Sequence, residues 1–319
     1  MSTATQPVRE AMLGAAATPH RYTWVSLLRD YFELTKARVT SLVVMAAWCG
    51  FYLAALKSGV PTLSWKLLNA LLGIGLVSGG AAALNQVFER DLDALMLRTC
   101  RRPLPAQRMG TRHATLVGIL GVAFGVLYLG LTCNWLTAAL AALTAAMYVG
   151  AYTPLKRYTP VCTFVGAFPG AMPPVLGWAA ARGSLSWEAA ALFAIVFAWQ
   201  FPHFHSIAWL YREDYQRANI RMLAVLDRTG RATIREILIY SLLLIPVSIA
   251  PVWLELSGRM YLVGAFLLSV AFFWCGVRLG ALKMAPSAAH SKARARQLLQ
   301  ASVFYLPLLF ALMMLNAIS

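Results

Sequence analysis

The chain has 319 residues, of which 60% are hydrophobic and only 13% are charged, and its formal net charge is +16. Soluble domains carry about 25% charged residues, so this composition excludes an ordinary water-soluble protein and predicts an integral membrane protein. The positive charge alone would suggest a nucleic-acid partner, which the distribution of basic residues along the chain excludes.

The first 30 residues are polar and lack the apolar core of a cleaved secretory signal. We therefore predict a polar N-terminal tail, 1–30, followed by a single membrane domain, 31–319. A mitochondrial presequence stays open, because Glu10 is the only acid before Asp30. Basic residues are sparse in this stretch, however, which favours a bacterial inner-membrane protein.

Nine apolar segments are long enough to cross a bilayer, which takes about 20 residues in a helix. They cover residues 39–57, 67–88, 114–132, 135–153, 161–180, 188–208, 236–254, 261–279 and 299–317. The fifth segment contains Pro169, Pro173 and Pro174. We predict that it forms a broken helix, which membranes tolerate where the helix is buried in protein or lines a cavity.

The basic residues fall almost entirely on one side of these nine spans. Of the 28 lysines and arginines, only Lys57, Lys66, Arg182 and Arg259 fall on the other side. This skew follows the positive-inside rule. It therefore predicts a cytoplasmic N-terminus and explains the net charge without nucleic acid.

The second span runs into a cluster of carboxylates. Asn85, Glu89 and Asp93 are spaced four apart, so they share one face of a helix. Oxygen groups in this arrangement suit Mg²⁺, which is often shared with a substrate phosphate. Asp91 points away from that face on a regular helix, and only a break in the helix would return it.

A second polar motif follows the sixth span, on the same predicted side. It reads Trp199-Gln-Phe-Pro-His203-Phe-His205 and then Tyr211-Arg-Glu213-Asp214-Tyr215. Two acidic clusters that face each other repel unless cations intervene, and a Mg²⁺–diphosphate complex supplies such cations. The alternative is that the acids are solvated at headgroup level and the histidines are structural. Basic side chains that could hold phosphate oxygens are Arg98, Arg101, Arg102, Lys156 and Arg157.

These motifs resemble those of the UbiA-type intramembrane prenyltransferases and, more narrowly, of the protohaem IX farnesyltransferase (haem O synthase) family. The resemblance covers roughly residues 30–315 and rests on Leu34 to Arg38, Asn85 to Asp93, Tyr152-Thr-Pro-Leu-Lys156-Arg157, Gly166 to Pro174 and Trp199 to Tyr215. Glu89 stands where the family usually has Asp, but it still offers a carboxylate. Asn219 replaces a common Gly, and Asn adopts left-handed backbone angles better than most residues.

The resemblance implies a nine-helix bundle around a central cavity. It also implies farnesyl transfer from farnesyl diphosphate to a vinyl group of protohaem (haem b). In such an enzyme Mg²⁺ is expected at Asn85, Glu89, Asp93 and Asp214, with Asp91 and Glu213 as helpers. Diphosphate or haem is expected at Lys36, Arg38, Arg98, Arg102, Tyr152, Lys156, Arg157, His203 and Tyr211. A haem A synthase is a partner at the pathway level only.

Two other functions stay open at this point. A related enzyme that prenylates a quinone precursor or makes a lipid shares the diphosphate chemistry. A secondary transporter also combines broken helices with buried polar residues. A transporter leaves its substrate chemically unchanged, so turnover of farnesyl diphosphate distinguishes it from an enzyme.

Overall fold

The computed structural model describes residues 23–282 and 285–318. Within them, nine helices are long and apolar enough to span a membrane, which confirms the predicted all-α membrane bundle. The helices, in chain order, are α1 (Trp24–Leu34), α2 (Ala37–Lys57), α3 (Trp65–Asp93), α4 (Thr111–Thr132), α5 (Trp135–Leu155), α6 (Cys162–Arg182), α7 (Trp187–Leu210), α8 (Arg212–Arg217), α9 (Leu223–Leu226), α10 (Arg231–Trp253), α11 (Arg259–Gly280) and α12 (Ala289–Leu315). Only α1, α8 and α9 in this set are not candidate spans.

Small residues bring neighbouring spans into close contact. Along the contact of α3 with α4, a Cβ on Gly80 would lie 2.7 Å from the backbone nitrogen of Val122. Helices α2 and α6 approach in the same way at Gly50 and Gly177. Close backbone approach is a main source of helix association in lipid. Helix α6 is the most buried of the nine spans and lies at the centre of the bundle.

The prediction of a broken fifth span is wrong. Residues 162–182 form one continuous helix, α6, although Pro169, Pro173 and Pro174 lie inside it. Each proline removes one backbone hydrogen bond, but the neighbouring helices enclose the segment, and their packing holds a helix that the prolines weaken. The irregular span is α5 instead, where Met147–Tyr152 form a π-helical turn.

The π-helical turn of α5 has a local cause. Pro154 has no N–H to donate to the preceding turn, and the Thr153 hydroxyl donates to the Tyr148 carbonyl at 2.8 Å. A side chain that enters the backbone ladder in this way distorts the helix. Turns of this type often occur at functional sites, and Tyr148 and Tyr152 both reach the candidate site.

The boundary predicted at residue 30 does not coincide with a structural one. Residues 1–22 of the predicted tail lie outside the described residues. Helix α1 begins at Trp24, because Thr23 and Ser26 exchange the two hydrogen bonds of a capping box. The end of the predicted tail is therefore part of the folded domain.

The ninth span begins earlier than predicted. Helix α12 starts at Ala289 rather than near residue 299. Its first turns carry Lys292, Arg294 and Arg296, so the helix extends beyond the apolar stretch on which the prediction rested. These basic residues sit at the end of the bundle that also holds the acidic motifs.

Candidate active site

A buried chain of polar side chains links three elements at one end of the bundle. Lys36 precedes α2 with φ 47°, Asn85 and Glu89 lie in the last turns of α3, and Lys156 follows α5. Lys36 Nζ donates to Asn85 Oδ1 at 2.6 Å, and Asn85 Nδ2 donates to Glu89 Oε1 at 2.6 Å. Glu89 is ion-paired with Lys156. The predicted common face of Asn85 and Glu89 is thereby confirmed.

The π-helical turn of α5 and the residue after it make further contacts with these polar side chains. The Tyr148 hydroxyl accepts a hydrogen bond from Lys36 Nζ at 3.3 Å, and Thr153 Oγ1 accepts one from Asn85 Nδ2 at 3.0 Å. Tyr152 stacks on Tyr148 with 5.7 Å between ring centroids. Tyr148 and Thr153 were not among the predicted site residues, although Thr153 follows the predicted residue Tyr152 directly and Tyr148 lies one turn before it.

Burial and neighbouring charges shift the pKa values of the two lysines in opposite directions. Burial lowers the pKa of Lys36 to about 8, against the opposing effect of the Glu89 carboxylate. Burial also lowers the pKa of Lys156, but the Glu89 charge and its hydrogen bond outweigh this effect and hold the pKa above its ordinary value. Lys36 is therefore the lysine of the pair that releases its proton more readily.

Asp93 lies one turn beyond Glu89 and is also buried, with 1% of its surface exposed. Its Oδ2 accepts a hydrogen bond from Arg102 Nη1 at 2.7 Å. Its Oδ1 is buried and has no hydrogen-bond partner among the described atoms. A buried polar atom without a partner is costly. Because carboxylate oxygens are ligands that Mg²⁺ prefers, this atom is suited to a divalent cation.

The second motif delivers Asp214 to the same end of the bundle. The two carboxylate oxygens of Asp214 accept from the backbone N–H groups of Leu97 and Arg98, each at 3.3 Å. These bonds join the short helix α8 to the loop after α3. Asn219, in the same segment, adopts a left-handed φ of 52°, as expected for a residue that replaces glycine.

The protein's own basic side chains neutralise the buried acids. The pairs are Glu89 with Lys156, Asp93 with Arg102, and Asp214 with Arg217. These side chains are cations that intervene between the two acidic motifs, as expected, whereas a bound Mg²⁺ at the motifs stays a prediction. Among the described residues, moreover, no three Asp, Glu, His or Cys side chains are gathered as a metal-binding group.

Three of the predicted site residues lie away from this cluster. Asp91 is exposed and pairs with Arg90, because α3 remains helical to Asp93 and turns this side chain outward. Glu213 is exposed and pairs with Lys292. Arg38 is exposed in the first turn of α2.

Two predicted arginines lie at the rim of the cluster. The guanidinium of Arg98 lies over the ring of Tyr211, 5.0 Å from its centroid. Arg157 Nη2 donates to the backbone carbonyl of Phe88 at 3.0 Å. Both side chains therefore stay close to the ends of the helices that carry the acids.

The histidines of the second motif make contacts within the bundle. His203 Nδ1 lies 2.8 Å from Ser302 Oγ, and its ring stacks on Trp199. His205 Nε2 lies 2.7 Å from Glu236 Oε2. These contacts agree with a structural role, whereas a haem contact for His203 stays a prediction.

An apolar cavity of about 340 Å³ lies between α5, α6 and α7. Its lining includes Met147, Phe168, Met172 and Phe193. Met172 also packs in one apolar cluster with Tyr148, whose hydroxyl contacts Lys36. The cavity thus extends from Met147, in the π-helical turn, to Leu185 and Ser186 in the loop between α6 and α7.

Comparison with known proteins gives concordant matches. The model of the UbiA prenyltransferase family matches residues 42–303. The chain is 57% identical over 316 residues to a protoheme IX farnesyltransferase of Koribacter versatilis, with 99% of each chain covered. It is 47% identical over 300 residues to that of Solibacter usitatus, with 91% of this chain and 99% of the relative covered.

Solved structures share the fold at low sequence identity. A digeranylgeranylglyceryl phosphate synthase superposes with a TM-score of 0.73 at 15% identity, covering 91% of this chain and 98% of the other. A UbiA homolog from Archaeoglobus fulgidus bound to GPP and Mg²⁺ gives a TM-score of 0.62 at 16% identity, covering 89% and 99%. The fold of this chain is thus one that these solved structures share.

Proposed function

We propose a specific reaction for this chain, which belongs to the UbiA prenyltransferase family. It transfers the farnesyl group of farnesyl diphosphate to a vinyl group of protohaem IX, and the products are haem O and diphosphate. The observation that carries the proposal is a sequence identity of 57% and 47%, over nearly the whole chain, to two relatives named protoheme IX farnesyltransferase. The cation-rich polar cluster at one end of an apolar helix bundle supports it, because this arrangement suits a substrate with a diphosphate head and a hydrocarbon tail.

The diphosphate group is held by the basic side chains of the cluster. Three of these side chains already contact a site residue, namely Lys36, Lys156 and Arg102. Phosphate oxygens can take the place of those contacts, so that no buried cation is left without a partner. Arg98 and Arg157 at the rim add charge where the leaving group departs. Donors that are already in place stabilise developing negative charge without reorganisation.

A divalent metal would be held by residues of both acidic motifs, which are not gathered as one metal-binding group among the described residues. The unpartnered Oδ1 of Asp93, the carboxylates of Glu89 and Asp214 and the amide oxygen of Asn85 offer hard ligands. When bound, Mg²⁺ supplies Lewis-acid neutralisation of the phosphate oxygens. Asp91 and Glu213, which are exposed, are left outside the ligand set.

The transfer begins when the bond between C1 of farnesyl and its diphosphate oxygen breaks, and the electron pair leaves with diphosphate. The π-electrons of the haem vinyl group form the new bond to C1. The carbocation left next to the porphyrin takes up water and releases a proton, which gives a hydroxyethylfarnesyl substituent. The ring faces of Tyr148 and Tyr152 can stabilise the allylic cation, and the apolar cavity that begins at Met147 can receive the tail.

We place the reaction at the cytoplasmic face of a bacterial plasma membrane. The positive-inside skew supports this orientation, and the named relatives are bacterial. A mitochondrial inner membrane is the alternative location. Haem b enters as a substrate and haem O must pass to a consuming enzyme, for which a haem A synthase is the candidate partner.

The reaction is tested by mass spectrometry of haem after incubation of the purified protein with protohaem, farnesyl diphosphate and Mg²⁺. We expect haem to gain a hydroxyethylfarnesyl group, and we expect a chelator to prevent the gain. Unchanged haem from folded protein would refute the proposed acceptor. Aromatic quinone precursors would then be the next acceptors to assay.

The site is tested by Asp93→Asn, with Asp91→Asn as the matched control. The first variant should keep the folded bundle but lose most Mg²⁺-dependent turnover, because it neutralises a buried carboxylate of the cluster. The control neutralises an exposed carboxylate two residues away and should keep its turnover. Wild-type rates in Asp93→Asn would remove the metal role from this motif.

A further inference from the structure

Helix α1 carries an apolar face that the described part of the chain leaves uncovered. Trp24, Val25, Leu28 and Phe32 have 83%, 77%, 60% and 65% of their surfaces exposed. At about 100° per residue these four side chains fall within an arc of roughly 100°. A contiguous apolar surface of this kind marks an interaction site.

A second side of α1 is fixed to the protein. Asp30 is buried and pairs with Arg108 at 2.9 Å, and the Tyr31 hydroxyl lies 2.6 Å from His113 Nε2. The side chain of Gln86 donates to the Leu34 carbonyl at 3.0 Å. The orientation of the apolar face is therefore set by contacts with α3, α4 and the loop between them.

The remaining arc of α1 is polar. It carries Ser26, Arg29 and Glu33, and the last two are exposed. The helix thus has three sides, of which one is bound to protein, one is apolar and one is polar. A helix that lies at a membrane surface beside a bundle requires this division, because it meets protein, lipid and water at once.

We propose that α1 lies in the interface of the bilayer, with Trp24, Leu28 and Phe32 among the lipid headgroups and upper acyl chains. The partner is lipid because α1 ends at Leu34 and the candidate span α2 begins at Ala37. This short connection holds α1 at the level of the membrane surface, where its apolar side faces away from the bundle.

The position of α1 bears directly on the polar cluster. The Lys36 backbone N–H donates to the Glu33 carbonyl at 3.2 Å, and the Thr35 hydroxyl donates to the Tyr31 carbonyl at 2.8 Å. The residue that contacts Asn85 is therefore tied to the last turn of α1. Contact of α1 with lipid therefore fixes the position from which the Lys36 side chain reaches Asn85.

The proposal is tested in lipid nanodiscs with a fluorescent amino acid introduced at single positions of the full chain. Leu28 is compared with Arg29, its sequence neighbour on the polar side. Phe32 and Glu33 form a second, independent pair in case the first does not fold. Quenching is measured with spin-labelled acyl chains and with a water-soluble anion, so the assay does not depend on the reaction catalysed.

We expect probes at 28 and 32 to be quenched several-fold more strongly by the acyl-chain label than probes at 29 and 33. The water-soluble quencher should show the reverse order. Equal lipid quenching at neighbouring positions would overturn the proposal. Protection of 28 and 32 from both quenchers would also overturn it, because a protein surface would then cover the face.

Discussion

The ion pair between Lys156 and Glu89 is predicted to stabilise the folded bundle as well as to serve the site. The side chains are 12% and 7% exposed, so Lys156→Met leaves a carboxylate buried without its main cation. Breaking a buried pair by removing one partner costs about 3–5 kcal/mol. Glu89 keeps its hydrogen bond from Asn85, so we expect a loss of about 3 kcal/mol, at the lower end of that range.

A second substitution separates stability from function. Glu89→Gln in the Lys156→Met background removes the unpaired charge, and we expect it to restore about 2 kcal/mol of the loss. Glu89→Gln alone also destabilises, because it leaves Lys156 without its anion, so the coupling energy of the double-mutant cycle is larger than the amount restored. Turnover should stay low in the double variant, because both charged groups are assigned to the reaction. Stability is measured by denaturant titration in detergent, and turnover by haem mass spectrometry.

The control is Lys292→Met, which removes the partner of Glu213. Those side chains are 31% and 56% exposed, and exposed pairs contribute about 0–1 kcal/mol. Strictly additive losses in the double-mutant cycle, or a loss in Lys156→Met no larger than in this control, would refute the assignment of a stabilising buried pair.

Two further predictions concern the loop before α10 and the second motif. The Asp227 carboxylate accepts the N–H groups of Gly230 and Thr233, each at 2.9 Å. Burial raises the pKa of Asp227, but these bonds outweigh it and hold the pKa below its usual value. Asp227→Ala should cost about 1 kcal/mol at pH 7. The difference in unfolding free energy between the wild type and Asp227→Ala should shrink as the pH falls below about 4, where the unfolded carboxyl is protonated, and then through the lower pKa of the folded state. A difference of equal size at pH 7 and pH 3 would contradict this prediction. His203→Ala should cost about 1 kcal/mol through its contact with Ser302 and, if this histidine also touches haem, should weaken haem binding in an absorbance titration. Unchanged haem affinity and turnover would remove the haem role.

The spans and the end at which the chemistry gathers could be predicted because both depend on local pattern. A bilayer requires about 20 apolar residues per helix, so the nine spans can be recognised in the sequence as apolar segments of that length. Alternating spans then return Asn85, Lys156 and Asp214 to one end. The shared face of Asn85 and Glu89 follows from helix geometry alone.

Other features depended on contacts between distant residues. The sequence shows three prolines in α6, but only enclosure by other helices keeps that segment helical. The sequence shows acids and arginines in the same loops, but only the folded chain pairs Asp93 with Arg102 and turns Asp91 outward.

The sequence by itself therefore determined that this is a multi-pass helical membrane protein with its polar chemistry at one end, because hydrophobic length and helical periodicity are local properties. The tertiary structure decided which partner each buried charge has, where the helix distortion lies and which face of α1 the described residues leave uncovered. Those outcomes depend on packing between helices, which brings together residues such as Lys36, Asn85 and Tyr148 from three parts of the chain.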